Sequence, residues 1–134
     1  ICLKCGQCVS VRFMRLRYEI SNKICVLSRA VIIDQDHIVV CQTLDLPLNF
    51  YFLPGGHIEH GESAEAAVLR ELVEESGAEG RIKRFLGCLE HSFAPGYSSA
   101  CHNHAYNFVF EVTSDALKAH NPIPQRETHI ANLS

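Results

Sequence analysis

Glutamate side chains are concentrated near the middle of the chain, in a stretch that reads RELVEE. Glu71, Glu74 and Glu75 fall within it, and Glu62 stands shortly before it. On a helix, spacings of three and four residues bring like charges together at a cost of about 0.2–0.5 kcal/mol per pair. A divalent cation bound between them would offset this repulsion, because Mg2+ and Mn2+ prefer hard oxygen ligands. The alternative is a solvated acidic face, the ordinary role of glutamates on an exposed helix.

The segment before these glutamates favours the metal site over the solvated face. It reads LPGGHIEHGES, and its adjacent glycines, Gly55 and Gly56, predict a bend whose backbone can approach a ligand without obstruction by side chains. Only a few residues separate the bend from the acidic stretch. We therefore expect the two to lie side by side.

Residues 56–78, GHIEHGESAEAAVLRELVEESGA, carry a specific motif, G-x5-E-x7-R-E-U-x-E-E-x-G-U, in which U is an apolar residue. Its positions are occupied by Gly56, Glu62, Arg70, Glu71, Leu72, Glu74, Glu75, Gly77 and, at the end, the small Ala78. On these residues the chain resembles the Nudix hydrolases. The resemblance implies an α+β fold of the α/β/α sandwich type, with a mixed sheet and one long catalytic helix.

The resemblance also implies an activity. Nudix hydrolases cleave a pyrophosphate bond in a nucleoside diphosphate linked to another group, using Mg2+ or Mn2+ and an attacking water. The chemistry suits the residues, since a metal that neutralises phosphate charge and orients the water supplies much of the catalysis. The alternative is a Nudix-like module that binds a nucleotide without cleaving it, although such modules usually lose a residue of the motif, and this chain keeps them all.

By the same resemblance, specific residues receive roles. Glu74 and Glu75 are the implied principal metal ligands, Glu71 is a ligand or the base that activates water, and the Gly55 carbonyl adds a further ligand. The implied catalytic residues are Glu71, Arg70 and Glu74.

Arg70 has a different expected task from the glutamates. It adjoins Glu71 and is suited to holding a carboxylate through two hydrogen bonds, while Glu62 is placed to pair with it across the loop. The alternative for both is an ordinary surface ion pair. We favour the orienting role, because lysine would perform it less well than the planar guanidinium.

Outside the motif the candidates are weaker and none is assigned. A further carboxylate is available in Glu90 or Glu127, and the histidines near the predicted turn are His91, His102 and His104. Aromatic side chains that can stack on a base are Tyr51, Phe52, Tyr97, Tyr106 and Phe108. Pro95 and Tyr97 lie near positions that separate substrate classes among Nudix hydrolases, and they do not discriminate here.

The surrounding pattern predicts the elements that position the motif. Apolar runs at 23–33 and 38–43 predict a hairpin, and 49–53 predicts a short strand ended by Pro54 and the two glycines. Residues 81–93 and 104–112 predict two longer, paired strands, and SDALKAH, 114–120, predicts one or two helical turns.

The helix prediction has the most specific signals. Ser63 is placed as the N-cap, the helix runs to Ser76, and Gly77 supplies the left-handed residue that ends it. At 100° per residue the sequence predicts an apolar side made of Ala66, Leu69, Leu72 and Val73. The same projection places Glu71, Glu74 and Glu75 on the opposite side.

Length and composition limit the alternatives. The chain has 134 residues, of which 47% are hydrophobic, which fits one globular domain, expected at 23–134 behind an extension at 1–22. Twelve Lys and Arg against 15 Asp and Glu give a net charge of −3. This balance does not indicate a basic surface for binding nucleic acid. No run is apolar enough for a membrane span. The expected partner is a small nucleotide, and the resemblance allows a homodimer.

Cysteines and chain ends give the remaining expectations. The seven cysteines are odd in number and scattered, which predicts reduced thiols in the cytoplasm. Cys2, Cys5 and Cys8 have the C-x2-C spacing of a zinc site, which we disfavour because a second pair is absent. The chain stops at RETHIANLS, where the resemblance leads us to expect a further strand and a closing helix.

Overall fold

The computed structural model describes residues 24–42, 51–92 and 103–119. Its strands are β1 Ile24–Val31, β2 Ile33–Asp34, β3 His37–Ile38, β4 Cys41–Gln42, β5 Tyr51–Phe52, β6 Gly55–His57, β7 Arg81–Ser92 and β8 His104–Thr113, and helix α1 spans Ala64–Ser76. Strands and a long helix in this order confirm the predicted α+β class.

Four strands form one mixed sheet in the order β6-β1-β8-β7. Strand β1 is antiparallel to β6 and parallel to β8, and β8 is antiparallel to β7 with two register shifts. Helix α1 packs against β6 and β1 and touches β8. The pairing of the two long strands was predicted, whereas the parallel pairing of β1 with β8 was not.

The predicted hairpin is present only at its turn. Ile33 pairs with Ile38 across the turn that contains Gln35, whose φ is 57°. The long run before it does not continue the hairpin, because β1 pairs with β6 on one side and β8 on the other. Burial of Leu27, Ser28 and Ala30 agrees with a central strand, whose apolar runs are typically continuous.

The predicted short strand ends before the glycine bend, as β5, and the bend itself forms a further strand, β6, that was not predicted. Gly55 pairs with Arg29 and Gly56 with Ser28 in the antiparallel ladder between β6 and β1. A β-carbon on Gly55 would lie 2.0 Å from the Ser28 carbonyl oxygen, and Gly55 has a φ of +137°. Glycine therefore allows β6 to approach β1 this closely.

Helix α1 has both predicted caps. The Ser63 hydroxyl accepts a hydrogen bond from the Ala66 amide at 3.1 Å, and Gly77 adopts a left-handed conformation with φ 74°. The Gly77 amide donates to the Val73 carbonyl at 2.8 Å. The start of the helix is further fixed to the sheet, because the Ser28 hydroxyl donates to the Ala64 carbonyl at 2.7 Å.

The predicted sides of the helix were wrong in part. Ala66 is exposed and Val73 is 39% exposed, whereas the buried residues are Ala67, Val68, Glu71, Leu72, Glu75 and Ser76. The packed side is therefore rotated from the predicted one and includes two of the glutamates. Their burial is possible because the Gly55 amide binds the Glu75 carboxylate and Arg70 binds the Glu71 carboxylate.

The core lies between α1 and the sheet. Its buried members are Ala30, Ile32, Cys41, Val68, Leu72, Ala78, Phe110, Val112 and Leu117. The predicted helical turns after β8 are absent from 114–119, where Ser114 donates to the Glu79 carbonyl and the Ala119 amide donates to Asp34. These long-range contacts fix an irregular segment that places Leu117 in the core. Within the described ranges, no helix has the length and apolar character needed to cross a membrane.

Candidate active site

Arg70 is the centre of the polar cluster on α1. Its Nε and Nη2 donate to the two Glu62 oxygens at 2.8 and 2.9 Å, and Nη1 donates to Glu71 Oε1 at 2.8 Å. Nη2 also donates to the His57 carbonyl at 3.0 Å, while the contacts of Nη1 with Glu74 are longer, 3.4 and 3.5 Å. The two-point partner of Arg70 is thus Glu62 rather than its neighbour Glu71.

Charge and hydrogen bonding stabilise the Glu62–Arg70 pair. The Arg70 hydrogen bonds lower the pKa of the Glu62 carboxyl, and the Glu62 and Glu71 carboxylates raise the pKa of Arg70. The Glu59 amide also donates to Glu62 at 3.1 Å. The side chains of Arg70 and Glu62 are 26% and 16% exposed. The pair is therefore less accessible to solvent than an ordinary surface ion pair.

Glu71 is enclosed between the arginine and the glycine backbone. It is 4% exposed. A β-carbon on Gly56 would lie only 2.6 Å from the Glu71 carboxyl carbon, so the carboxylate occupies the volume that any other residue at this position would fill. Gly56 therefore makes room for Glu71, because it has no side chain.

Glu75 is turned toward the same bend. It is 7% exposed, and its Oε2 accepts a hydrogen bond from the Gly55 amide at 2.9 Å. The Cys41 thiol also donates to this oxygen at 3.7 Å, and burial together with the Glu75 carboxylate raises the pKa of Cys41. Glu75, on α1, thus binds the backbone of the bend through the Gly55 amide.

Among the motif glutamates Glu71, Glu74 and Glu75, Glu74 is the most accessible. Its side chain is 39% exposed and lies within 3.4 Å of Arg70. It therefore flanks the enclosed Glu71 and Glu75 at the solvent side of the cluster, where a bound molecule can reach it.

Arg29, on β1, binds the backbone of the bend from the sheet side, and it was not among the predicted site residues. Its Nη1 donates to the Gly55 carbonyl at 2.7 Å and to the Leu53 carbonyl at 3.3 Å. Its Nε donates to Asn107 at 3.3 Å, and its Cζ lies 5.8 Å from the centre of the Phe52 ring. A charged residue inside the apolar run ICVLSRAVIID was the available signal.

The residues present fit a hard divalent cation. Glu71, Glu74, Glu75 and the Gly55 carbonyl supply oxygen atoms only, and the buried Glu71 carboxylate lies against the Gly56 backbone in the volume that a β-carbon would fill. In residues 24–42, 51–92 and 103–119, no three His, Cys, Asp or Glu side chains already surround a common point. The contacts of these carboxylates are with Arg70, which binds Glu71 and Glu74, and with the Gly55 amide, which binds Glu75.

The weaker candidates divide between the described and undescribed parts of the chain. Glu90 accepts hydrogen bonds from His104 at 2.8 Å and from Tyr106 at 3.1 Å, and these contacts lower its pKa. His91 is exposed on β7, and Phe108 packs partly against the core. The expectations for Cys2, Cys5, Cys8, Pro95, Tyr97, His102 and Glu127 lie outside the described residues.

Comparison with known proteins bears on the same part of the chain. The family model described as NUDIX domain matches residues 26–133. A curated relative, the ADP-ribose pyrophosphatase of Methanocaldococcus jannaschii, is 34% identical over 77 residues, which cover 58% of this chain and 44% of the relative. This chain therefore spans less than half the length of that relative.

Two solved structures share the fold. A NUDIX hydrolase from Nitrosomonas europaea superposes with a TM-score of 0.66 at 22% identity, covering 84% of this chain and 71% of that chain. A UDP-X diphosphatase superposes with a TM-score of 0.61 at 24% identity, covering 84% of this chain and 50% of that chain. These likenesses confirm the sandwich fold that the motif predicted.

Proposed function

The chain belongs to the NUDIX family, and from this we infer that it is a hydrolase that uses Mg2+ or Mn2+ to cleave a pyrophosphate bond. The substrate is a nucleoside diphosphate linked to another group. The family match over residues 26–133 supports the reaction class, and the named relative supports ADP-ribose as the first compound to test.

One observation carries the proposal. Glu71 and Glu75 are 4% and 7% exposed, and both face the Gly55–Gly56 backbone rather than solvent. A solvated acidic face would expose these carboxylates. The burial of Glu71 and Glu75 therefore argues against that alternative for two of the three motif glutamates on α1. Burial of two neighbouring carboxylates is costly unless cations compensate their charge, which Arg70 does in part.

In this proposal Glu71, Glu74, Glu75 and the Gly55 carbonyl hold the cation. The bound cation would neutralise phosphate oxygens and lower the barrier to attack by water. We assign Arg70 and Glu62 a positioning role in catalysis, because the two-point bond between them restrains the guanidinium that holds Glu71.

The reaction consumes one water. The water oxygen forms a bond to one phosphorus atom, the bond from that phosphorus to the bridging oxygen breaks, and two phosphate monoesters leave. The proton lost by the water goes to a carboxylate of the site. Glu74 is the better placed acceptor, because its side chain is 39% exposed and water can reach it, whereas Glu71 is enclosed and bound by Arg70.

We further propose that residues 23–134 form the catalytic domain and that the protein acts in the cytoplasm. The family match begins at residue 26, close to the proposed boundary. Cys25, Cys41 and Cys88 are thiols, as a reducing compartment favours.

A substrate screen tests the proposal. The purified chain is incubated with ADP-ribose and other nucleoside diphosphate derivatives, with Mg2+, with Mn2+ or with chelator, and the products are separated by chromatography. We expect two phosphate monoesters from at least one compound, formed only when metal is present. Saturable nucleotide binding without product would identify the non-hydrolytic module instead.

A further inference from the structure

The backbone of Gly55 is held at both of its polar atoms. Its amide donates to Glu75 Oε2 at 2.9 Å, and its carbonyl accepts from Arg29 Nη1 at 2.7 Å. The residue has a φ of +137° and no room for a β-carbon. The direction of the Gly55 carbonyl is therefore determined jointly by a carboxylate on α1 and a guanidinium on β1.

The Arg29 side chain is itself restrained. Nε donates to Asn107 on β8 at 3.3 Å, Nη1 also donates to the Leu53 carbonyl at 3.3 Å, and the guanidinium lies over the Phe52 ring. These partners come from two separate segments, β8 and the chain at Phe52 and Leu53, so the guanidinium connects the central strands of the sheet to the chain that enters the bend. A planar group with several donors can make these contacts together, whereas lysine cannot.

This position has an electrostatic consequence for metal binding. A positive charge bonded to the Gly55 carbonyl stands next to any cation that uses the same oxygen, and like charges at such distances repel in a partly buried site. The carbonyl has two lone pairs, so both can bind it, but the guanidinium weakens the attraction of the site for the cation.

We propose that Arg29 is a positioning residue that holds the Gly55 carbonyl in the direction needed for catalysis at the expense of metal affinity. The inference rests on the proposed function, because it takes the Gly55 carbonyl as part of the metal site. It makes a distinctive prediction: removing the charge strengthens metal binding and slows the reaction. Replacing a residue with a merely structural role would instead weaken metal binding and slow the reaction.

The test compares Arg29→Met and Arg29→Lys with the wild type. Mn2+ binding to the free protein is measured by electron paramagnetic resonance, and kcat and KM are measured on the substrate that the screen identifies. For Arg29→Met we expect Mn2+ to bind roughly two- to tenfold more tightly, the effect of losing one partly screened charge. Its kcat should fall by roughly tenfold or more, because the carbonyl loses its orientation.

Arg29→Lys separates charge from geometry. It should keep the wild-type Mn2+ affinity and still lower kcat, since the charge remains and the set of directed hydrogen bonds does not. Arg81→Met serves as the control, because Arg81 is an exposed arginine at the other end of the sheet, paired with Asp115. It should change neither quantity.

Asn107→Leu keeps the proposal testable if Arg29→Met does not fold, as judged by thermal unfolding. It removes the partner of Nε and leaves the charge, so kcat should fall at unchanged Mn2+ affinity. Weaker or unchanged Mn2+ binding in folded Arg29→Met would overturn the inference, as would weaker binding in Asn107→Leu or a wild type that binds no Mn2+.

These outcomes are separable from failure of the proposed function. A wild type that cleaves a nucleotide, with an Arg29→Met variant that binds Mn2+ no more tightly, leaves the function standing and removes the role of Arg29. Tighter Mn2+ binding in Arg29→Met, with no cleavage by any wild-type preparation, leaves the electrostatic role standing and removes the hydrolase.

Discussion

Arg70 binds both carboxylate oxygens of Glu62, through Nε at 2.8 Å and Nη2 at 2.9 Å, across eight residues of sequence. This contact joins the loop before α1 to the middle of the helix. It leaves Nη1 to hold Glu71, so the geometry of a proposed metal ligand depends on a residue that is not itself a ligand.

Arg70→Lys tests that dependence. Lysine keeps the charge but cannot bind Glu62 at two points while reaching Glu71, so we expect activity to fall by about 10- to 100-fold, as for other partners of metal ligands. Thermal unfolding should show that the fold is retained. Arg84→Lys, on the exposed face of β7, is the matched control and should keep wild-type turnover. Equal turnover in both variants would contradict an orienting role for Arg70.

The Glu62–Arg70 pair also predicts a dependence of stability on pH. Arg70 lowers the pKa of Glu62 in the folded state below its ordinary 4.5, so the unfolded chain takes up this proton more readily. The pair therefore stabilises the fold fully above that ordinary value, and the contribution is lost as the pH falls below it through the folded-state pKa. The unfolding free energy of Glu62→Gln should decline less steeply in this acid range.

Chemical denaturation across the acid range measures this effect. Glu79→Gln removes an exposed glutamate outside the cluster and should keep the steep acid decline of the wild type. The same steep decline in Glu62→Gln would show that the pair does not contribute to acid sensitivity.

Gly56→Ala tests the contact between the bend and Glu71. The new methyl group would lie 2.6 Å from the Glu71 carboxyl carbon, so Glu71 has to move. We expect a loss of about 1–3 kcal/mol in unfolding free energy and weaker Mn2+ binding. Gly61→Ala is a useful comparison, because its β-carbon meets nothing within 4 Å and only its φ of +81° is unfavourable. It should cost about 1–2 kcal/mol and leave Mn2+ binding unchanged.

The corrected packing of α1 gives a stability prediction. Leu72 is fully buried and Val73 is 39% exposed. Leu72→Ala should lower the unfolding free energy by about 2–5 kcal/mol, and Val73→Ala by about 0.5 kcal/mol or less. Similar losses for the two variants in urea denaturation would favour the orientation of the helix that the sequence alone suggested.

Features encoded by neighbouring residues were predictable from the sequence. Ser63 and Gly77 act within one turn of the helix ends, so their types and spacing sufficed to place α1. The turn between Ile33 and Ile38 and the long antiparallel pair of β7 and β8 were likewise signalled by local patterns. The motif residues also identified the family, which the match over residues 26–133 shows.

Features that depend on distant residues were not predictable in the same way. The parallel pairing of β1 with β8 joins segments about eighty residues apart, and no local pattern records it. The side that α1 buries was misjudged because hydrophobicity alone ranks Val73 above Glu75, whereas the Gly55 amide makes burial of Glu75 favourable. Arg29 was missed because its partners, Gly55 and Asn107, meet it only in the folded sheet.

The central claim is that the acidic cluster on α1 holds a catalytic metal ion, and Glu74→Gln tests it most directly. The Glu74 side chain is 39% exposed, so this isosteric change should leave the fold intact while removing a proposed ligand and proton acceptor. Turnover of the identified substrate with Mg2+ is measured for the wild type, for Glu74→Gln and for the exposed helical control Glu65→Gln. We predict that Glu74→Gln loses metal-dependent release of phosphate monoester and that the control keeps it. Wild-type turnover in purified, folded Glu74→Gln would contradict the account.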